Sequence, residues 1–404
     1  MERGSEHQQH TISGLNDPRL RCVIASFADE FDSRTTMPET DSKPALAPEA
    51  PAFKAESLHE HKLPAPVLGF DLAADGKTCY AACLDGGVYE VDAESGGHQQ
   101  LGKHDSYASS ACLIPGTSLL ISGGYDGTLR WHDLGQRKTT RTINAHRFWS
   151  WQAAVSSDGR HVASVTGQYR CGGYKYEPAP ETEPSVKLFD TRSGELVHSF
   201  SHVPPVQSVA FSPDGKFVAA GNLMGEVRAW EVATGKQVSN FTTPSFTGWG
   251  IIKGHYYTGG IYGMHFTPDG EHLFVCGMGS TTDPAAGNGK QLWQRFAWRE
   301  NPPKQVAAAK DDDIGRGLME TLAFHPAAKY FVMAGRLFNG KWNTAFFDVD
   351  TGSLLHSLDV KMRVTRARFH SDGSQLFLAG TTDQGKKKDG NAPESGRIKV
   401  FKLG

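Results

Sequence analysis

The chain has 404 residues, 42 Lys and Arg against 44 Asp and Glu, and a formal net charge of −2. That near-neutral balance gives no electrostatic case for nucleic acid or an anionic membrane, both of which select a basic excess, so neither is expected as a partner. No stretch of ~18 consecutive apolar residues occurs, which leaves no candidate for a spanning helix.

Residues 1–51 lack any strand pattern. They read as a disordered leader; residues 11–31 are compatible with a short helix, but nothing marks them as a domain, and 37–51 is rich in Pro, Ala and Glu. Met37 opens that stretch, so we take it as a candidate initiator with 1–36 upstream of it; an intact mass would decide. Residues 1–20 are polar, and the apolar run 22–27 is shorter than the ~7–15 residues of a secretory core. The expected location is therefore cytoplasmic. Cys22, Cys79, Cys83, Cys112, Cys171 and Cys276 are scattered without a Cys-x-x-Cys pair. They read as reduced and mostly buried thiols.

From residue 52 onward the chain repeats. Its clearest unit has apolar alternation over 206–211, a Pro213-Asp214-Gly215 turn, a second apolar run to Gly221, a third ending at Trp230, and a Thr234-Gly235 turn before a fourth. Each run is strand-length and each turn permits a sharp reversal, so one unit is a four-stranded meander. Equivalent turn positions fall at Asp75, Gly116, Asp158, Asp214, Asp269, Ala327 and Asp372, spaced 41, 42, 56, 55, 58 and 45 residues apart. A period near ~40–45 residues with four strands per unit is that of a propeller blade, the longer spacings being loop insertions. The prediction is all-β: a seven-bladed β-propeller of four-stranded antiparallel blades over 52–404.

Here the sequence resembles the WD-repeat family. Blade 2 carries that family's hydrogen-bonding residues, His104, Ser122, Asp126 and Trp131, which the resemblance implies are linked and buried. Other units keep part of the pattern, with Phe189, Trp230, Phe347 and Phe401 at the aromatic position. The last unit stops after its third strand, at Phe401. An open edge there is a liability, and residues 53–61, which align with the fourth strand at 196–200, are predicted to close it. Closure would make blades 1 and 7 neighbours and set Asp71 of one beside Arg368 of the other as an ion pair, with Arg366 nearby.

Loop lengths locate function. In WD-type propellers the turns between strands one and two, and three and four, share one face, and here they are uniformly short. The opposite face carries the loops between strands two and three and the links to the next blade. From turn marker to third-strand aromatic the distance is 14, 15 and 16 residues in blades 1, 2 and 4, but 31, 24, 20 and 29 in blades 3, 5, 6 and 7. Long loops on a rigid scaffold are where binding function sits. The inserted sequence supplies Tyr169, Arg170, Tyr174 and Tyr176 in blade 3, Trp249 and Tyr256 before blade 5, and Arg336 and Trp342 in blade 6. Aromatic and Arg side chains of this kind dominate interface hot spots. First-strand residues at the same mouth of the channel add Trp149, Trp151, Tyr262, Glu320 and Arg363, with Tyr107 beside them.

The expected function is a non-catalytic scaffold that recruits a protein or peptide partner through the face over blades 3–7, without cofactor or metal. The alternative is a propeller hydrolase or lyase acting on a small molecule at the channel mouth. That would need convergent His, Asp or Glu groups, and His255, His265 and Glu320 form the only trio in reach. His265 lies within a strand and reads as a buried, hydrogen-bonded histidine. Asp311 to Asp313 lack the alternating register of a calcium loop and read as a solvated turn, as do Lys386 to Lys388.

Overall fold

A computed structural model describes residues 53–167, 180–249, 257–279, 289–310, 315–382 and 394–404, all within the unit 52–404. The leader prediction for 1–51 and its helix lie outside the described residues, as do Cys22, Cys171 and both solvated-turn assignments.

The hairpins follow from one local device. In Ser156-Ser-Asp-Gly159, the Ser156 hydroxyl donates to Asp158 at 2.6 Å, Asp158 accepts the Arg160 amide at 3.0 Å, and the His161 amide donates back to Ser156 at 3.0 Å. Gly159 takes the positive φ of +70° that closes the turn. The same bonds recur at Ser212 and Asp214, and at Thr267 and Asp269. Such turns need few residues, which keeps this face flat.

The strands form five four-stranded antiparallel sheets and one nine-stranded sheet. The nine-stranded sheet contains two further meanders, joined where Gly289 and Lys290 pair with Gly317 and Arg316. Counted in chain order and with that sheet taken as two, the meanders are numbered here as blades 1 to 7. Their first strands are Val67–Leu72, Ala108–Leu113, Ser150–Val155, Val206–Phe211, Tyr257–Phe266, Arg316–Phe324 and Arg363–Phe369. Each of these packs beside the next, and Arg363–Phe369 packs beside Val67–Leu72, so the circuit closes around a central channel. Apart from a 3-10 turn at Pro244–Phe246 the described residues hold no helix, and so none long and apolar enough to cross a membrane.

The last blade is completed by the N-terminal strand Ala55–Leu63, which pairs antiparallel with Gly396–Leu403. The strand begins two residues later than the predicted 53–61. Phe53 does not pair but packs its ring on Tyr330 and Phe346 of blade 6, with centroids 5.1 and 4.6 Å away, while Leu63 is fully buried in the core between blades 7 and 1. Apolar side chains between adjacent blades make up the rest of the core, as with Phe274, Trp293, Phe331 and Phe347 between blades 5 and 6.

Candidate functional site

The mouth of the channel on the long-loop face is aromatic on one side. Trp149 and Trp151 enter from the first strand of blade 3 and its approach, Tyr107 from the approach to blade 2, and Tyr125 from the blade 2 turn before Asp126. Tyr125 and Trp149 stack at 4.7 Å and 8°, Tyr107 lies 5.5 Å from Tyr125, and Phe148 backs Trp149 at 4.6 Å. Trp151 sits beneath, 5.9 Å from Trp149. A Cβ at Gly167 would collide with its indole, so only Gly leaves room for Trp151 there. Tyr107 and Trp149 stay 45% and 38% exposed, large aromatic faces turned to solvent.

An ion pair occupies the other side. Arg363 of blade 7 donates through Nε and one Nη to both carboxylate oxygens of Glu320 of blade 6, at 2.6 and 2.9 Å. The Glu320 side chain is 9% exposed and Arg363 41%, so the guanidinium is the half of the pair that meets solvent. Burial, then the Glu320 charge, pushes the Tyr262 phenol up to about 12. Burial also raises Tyr125 to about 12. Both phenols stay neutral hydroxyls able to donate and accept. The fork geometry fixes both carboxylate lone-pair sites and leaves Glu320 unsuited to act as a free base.

Trp149, Trp151, Tyr262, Glu320 and Arg363 are thus brought together, and Tyr125 and Phe148 join them without having been singled out by sequence. Tyr169, Arg170, Tyr174, Tyr176 and Tyr256 lie outside the described residues. Trp249 ends a short strand, Thr247–Trp249, that pairs with the start of Tyr257–Phe266. Arg336 is half-buried in the blade 6 hairpin beside Leu337. Trp342 is a correction: it is only 6% exposed, packs on Phe347 and belongs to the core between blades 5 and 6, and its carbonyl accepts from Gln291 at 2.8 Å. The segment between Asn339 and Thr344 thus places Trp342 against blades 5 and 6, and the exposed aromatic of this hairpin is Phe338, at 59%.

His265 also departs from expectation. It is exposed, lining the channel as it bonds the Phe266 carbonyl at 2.9 Å, because its position in the strand faces the axis. His255 lies outside the described residues. Among the described residues no group of three or more His, Cys, Asp or Glu is placed to hold a metal ion. Cys79, Cys83, Cys112 and Cys276 are buried free thiols, and burial pushes Cys79 and Cys112 up to about 12, far from the thiolate a nucleophile requires.

In blade 2, His104 bonds Asp126 through Nδ1 at 3.0 Å and Ser122 through Nε2 at 2.8 Å. Burial opposes ionisation of Asp126, but His104 and the amides of Asp105 and Thr128 outweigh it and hold the carboxyl well below its usual range. The fourth member is His132, not Trp131: Ser122 Oγ meets His132 Nε2 at 2.7 Å. Strand side chains alternate faces. Thr128, Arg130 and His132 share the face of Ser122, whereas Trp131 turns the other way and donates to the Thr191 carbonyl of blade 3 at 2.8 Å. Across the closure, Arg368 Nε donates to Asp71 Oδ1 at 3.1 Å, and Asp71 Oδ2 accepts the Leu113 amide of blade 2 at 2.9 Å.

Repeated four-stranded meanders and a buried His, Ser and Asp set define a WD-type propeller. The WD domain, G-beta repeat model matches at residues 98–133, 194–231 and 249–282; the chain is a WD-repeat protein. The first two matches each begin at or beside the last strand of one blade and end in the third of the next, the same offset that leaves the first strand of the chain to finish the last blade. Similar sequences include rat telomerase protein component 1, 30% identical over 30% of this chain and 4% of that protein. Eukaryotic translation initiation factor 3 subunit I of Phaeosphaeria nodorum is 24% identical over 45% of this chain and 54% of its own length. Small ribosomal subunit protein RACK1 of Schizosaccharomyces pombe is 27% identical over 32% and 39% respectively. The alignments thus span about half or less of each relative.

Proposed function

We propose that this WD-repeat protein is a non-catalytic scaffold that binds a protein or peptide partner on its long-loop face, at the channel mouth. The observation that carries the reading is the exposed pair Tyr107 and Trp149, one tilted against Tyr125 and the other stacked on it, beside the Glu320–Arg363 pair. Such rings give large, rigid contact area at low entropy cost, and the bordering ion pair gives register and polarity. The aromatic patch lies over blades 2 and 3, so the footprint begins one blade earlier than loop lengths alone suggest. Raised phenol and thiol pKa values and a fully engaged Glu320 favour binding over bond cleavage. The three relatives carry the names of a component or subunit of a larger assembly, which supports a partner of protein class. A near-neutral charge favours a partner that is neither nucleic acid nor membrane.

The test is quantitative affinity capture with Tyr107→Ala/Trp149→Ala beside a control on the opposite face, Ser157→Ala. The mouth variant should lose its partner at least about 10-fold, at unchanged melting temperature, as expected for an interface hot spot. Capture unchanged in the mouth variant, or lost only in the Ser157 variant, overturns the proposal.

A further inference from the structure

The channel also opens on the short-turn face, as a cavity of about 600 Å³. Its wall carries Asp71, Glu320, Arg366 and Arg368. Arg368 is committed to Asp71 and Glu320 to Arg363. Arg366 has no such partner: its Nη1 bonds only the carbonyl of its neighbour Thr365, at 2.7 Å, and it forms no ion pair with any described carboxylate. Three arginines of one strand therefore face two carboxylates, and a guanidinium keeps its proton throughout the physiological range. Burial, then the Arg368 charge, acts against the Arg366 cation. Glu320, already paired with Arg363, offsets this only in part; a half-buried cation with no ion-pair partner of its own is costly, yet the fold retains it in the wall of an open cavity.

We propose that this cavity is a binding site for an organic monocarboxylate, held by the Arg366 guanidinium and entered from the short-turn face. The surplus is a single positive charge, which one carboxylate neutralises and a doubly charged phosphate would overshoot. The planar fork of arginine suits a carboxylate bound through both oxygens. Ala154, Ala210 and Met264 supply apolar wall for the body of the ligand. The site is separate from the aromatic mouth and does not depend on the partner proposed there.

The experiment is calorimetric titration of the whole chain with benzoate, with inorganic phosphate and benzylamine as comparison probes at matched ionic strength. Benzoate should bind at least about 10-fold more tightly than phosphate, and benzylamine should not bind, as one charge-assisted bidentate contact requires. Arg366→Gln should weaken benzoate at least about 10-fold, and Arg366→Lys should fall between, keeping the charge but not the fork. Tyr107→Ala/Trp149→Ala should leave benzoate binding unchanged. In crystals soaked with 4-iodobenzoate, which need no variant to fold, the iodine should lie in this cavity. No heat with benzoate, equal affinity for phosphate, unchanged affinity in Arg366→Gln, or iodine located elsewhere overturns the proposal.

Discussion

Acid should weaken this fold well before its carboxylates titrate, and three buried histidines set the window. His202 accepts the Val203 amide at Nδ1, 2.7 Å, and directs Nε2 to the Ala220 carbonyl at 3.2 Å, so both ring nitrogens are spoken for in the neutral form. His146 bonds Ser164 through Nε2 at 2.9 Å and leaves Nδ1 buried with no partner, where a proton would be an orphaned donor. His132 lies between Ser122 and Thr139. Burial, then Arg228, pushes His202 down to about 3; burial, then Lys187, pushes His146 to about 3; burial, then His104 and Arg130, pushes His132 to about 4.

In the unfolded chain each of these histidines titrates near ~6.5. Below that pH the unfolded state takes up protons that the folded state refuses, so stability falls as pH drops from ~6.5 towards ~4. At pH 5 the unfolded value exceeds the solution pH by ~1.5 units, worth ~2 kcal/mol per histidine and ~6 kcal/mol for the three. That is a large part of the ~5–15 kcal/mol of an ordinary domain. The depressed carboxylates contribute stability that is present above their unfolded values near ~4 and lost below them, outside this window. Urea unfolding at pH 7.5, 6.0 and 5.0, followed by tryptophan fluorescence at constant ionic strength, measures the loss. His202→Gln should remove about a third of it, that being one of three groups of similar size. A change under ~1 kcal/mol from pH 7.5 to 5.0, or a His202→Gln variant with the full slope, would refute the reasoning.

Deleting residues 1–63 removes the strand that pairs with Gly396–Leu403 and strips Phe53 from blade 6, so it should abolish cooperative melting, whereas deleting 1–51 should leave the melting temperature unchanged; similar melting of the two would count against the latch. Asp71→Ala should cost ~1–3 kcal/mol because it also strands the Leu113 amide, and Arg368→Ala about 1 kcal/mol or less, given its partial exposure. Their double mutant should cost clearly less than the sum, and additive losses in denaturant melts would exclude the pairing. Ser122→Ala and His132→Ala should be coupled in the same way, with each costing ~1–3 kcal/mol. Trp131→Phe, which loses the bond to Thr191 and part of the buried indole, should add independently to Ser122→Ala; coupling of those two would restore Trp131 to the set.

The meanders were legible because they rest on local rules: period-two alternation, and turns whose Ser or Thr, Asp and Gly fix their own backbone. The closing strand was legible as a remainder, one strand short at one end and one strand spare at the other, though its register was not. Where Phe53 finds Tyr330 is a tertiary fact. Trp131 matches the family set by residue type, but strand face decides membership, and alternation counted from Asp126 reaches His132. Trp342 shows the limit in the other direction, since an aromatic in an insertion reads as exposed until the hairpin is seen to fold back. Tyr125 carries a signal in its position, since it precedes the Asp126-Gly127 turn and so sits at the same mouth as Trp149.

Blade 7 is the one blade made from both ends of the propeller, and the side chains compensate for that. Its first strand reaches sideways in both directions: Arg363 to Glu320 of blade 6, Thr365 Oγ1 to the Val67 carbonyl of blade 1 at 2.8 Å, and Arg368 to Asp71 of blade 1. The latch adds Phe53 on blade 6. Blade 7 is linked to blade 1 after Leu63 by a short connection like those between other blades, but its own outer strand is held to Gly396–Leu403 by pairing alone, with no chain connection between the two. The arginines therefore do two things at once. Arg363 and Arg368 hold the closure by pairing outward, which uses up both carboxylates of the channel and leaves Arg366 between them as its uncompensated charge. Closure and the electrostatic character of the channel thus share a strand, so a variant that loosens the seam should also alter what the channel binds.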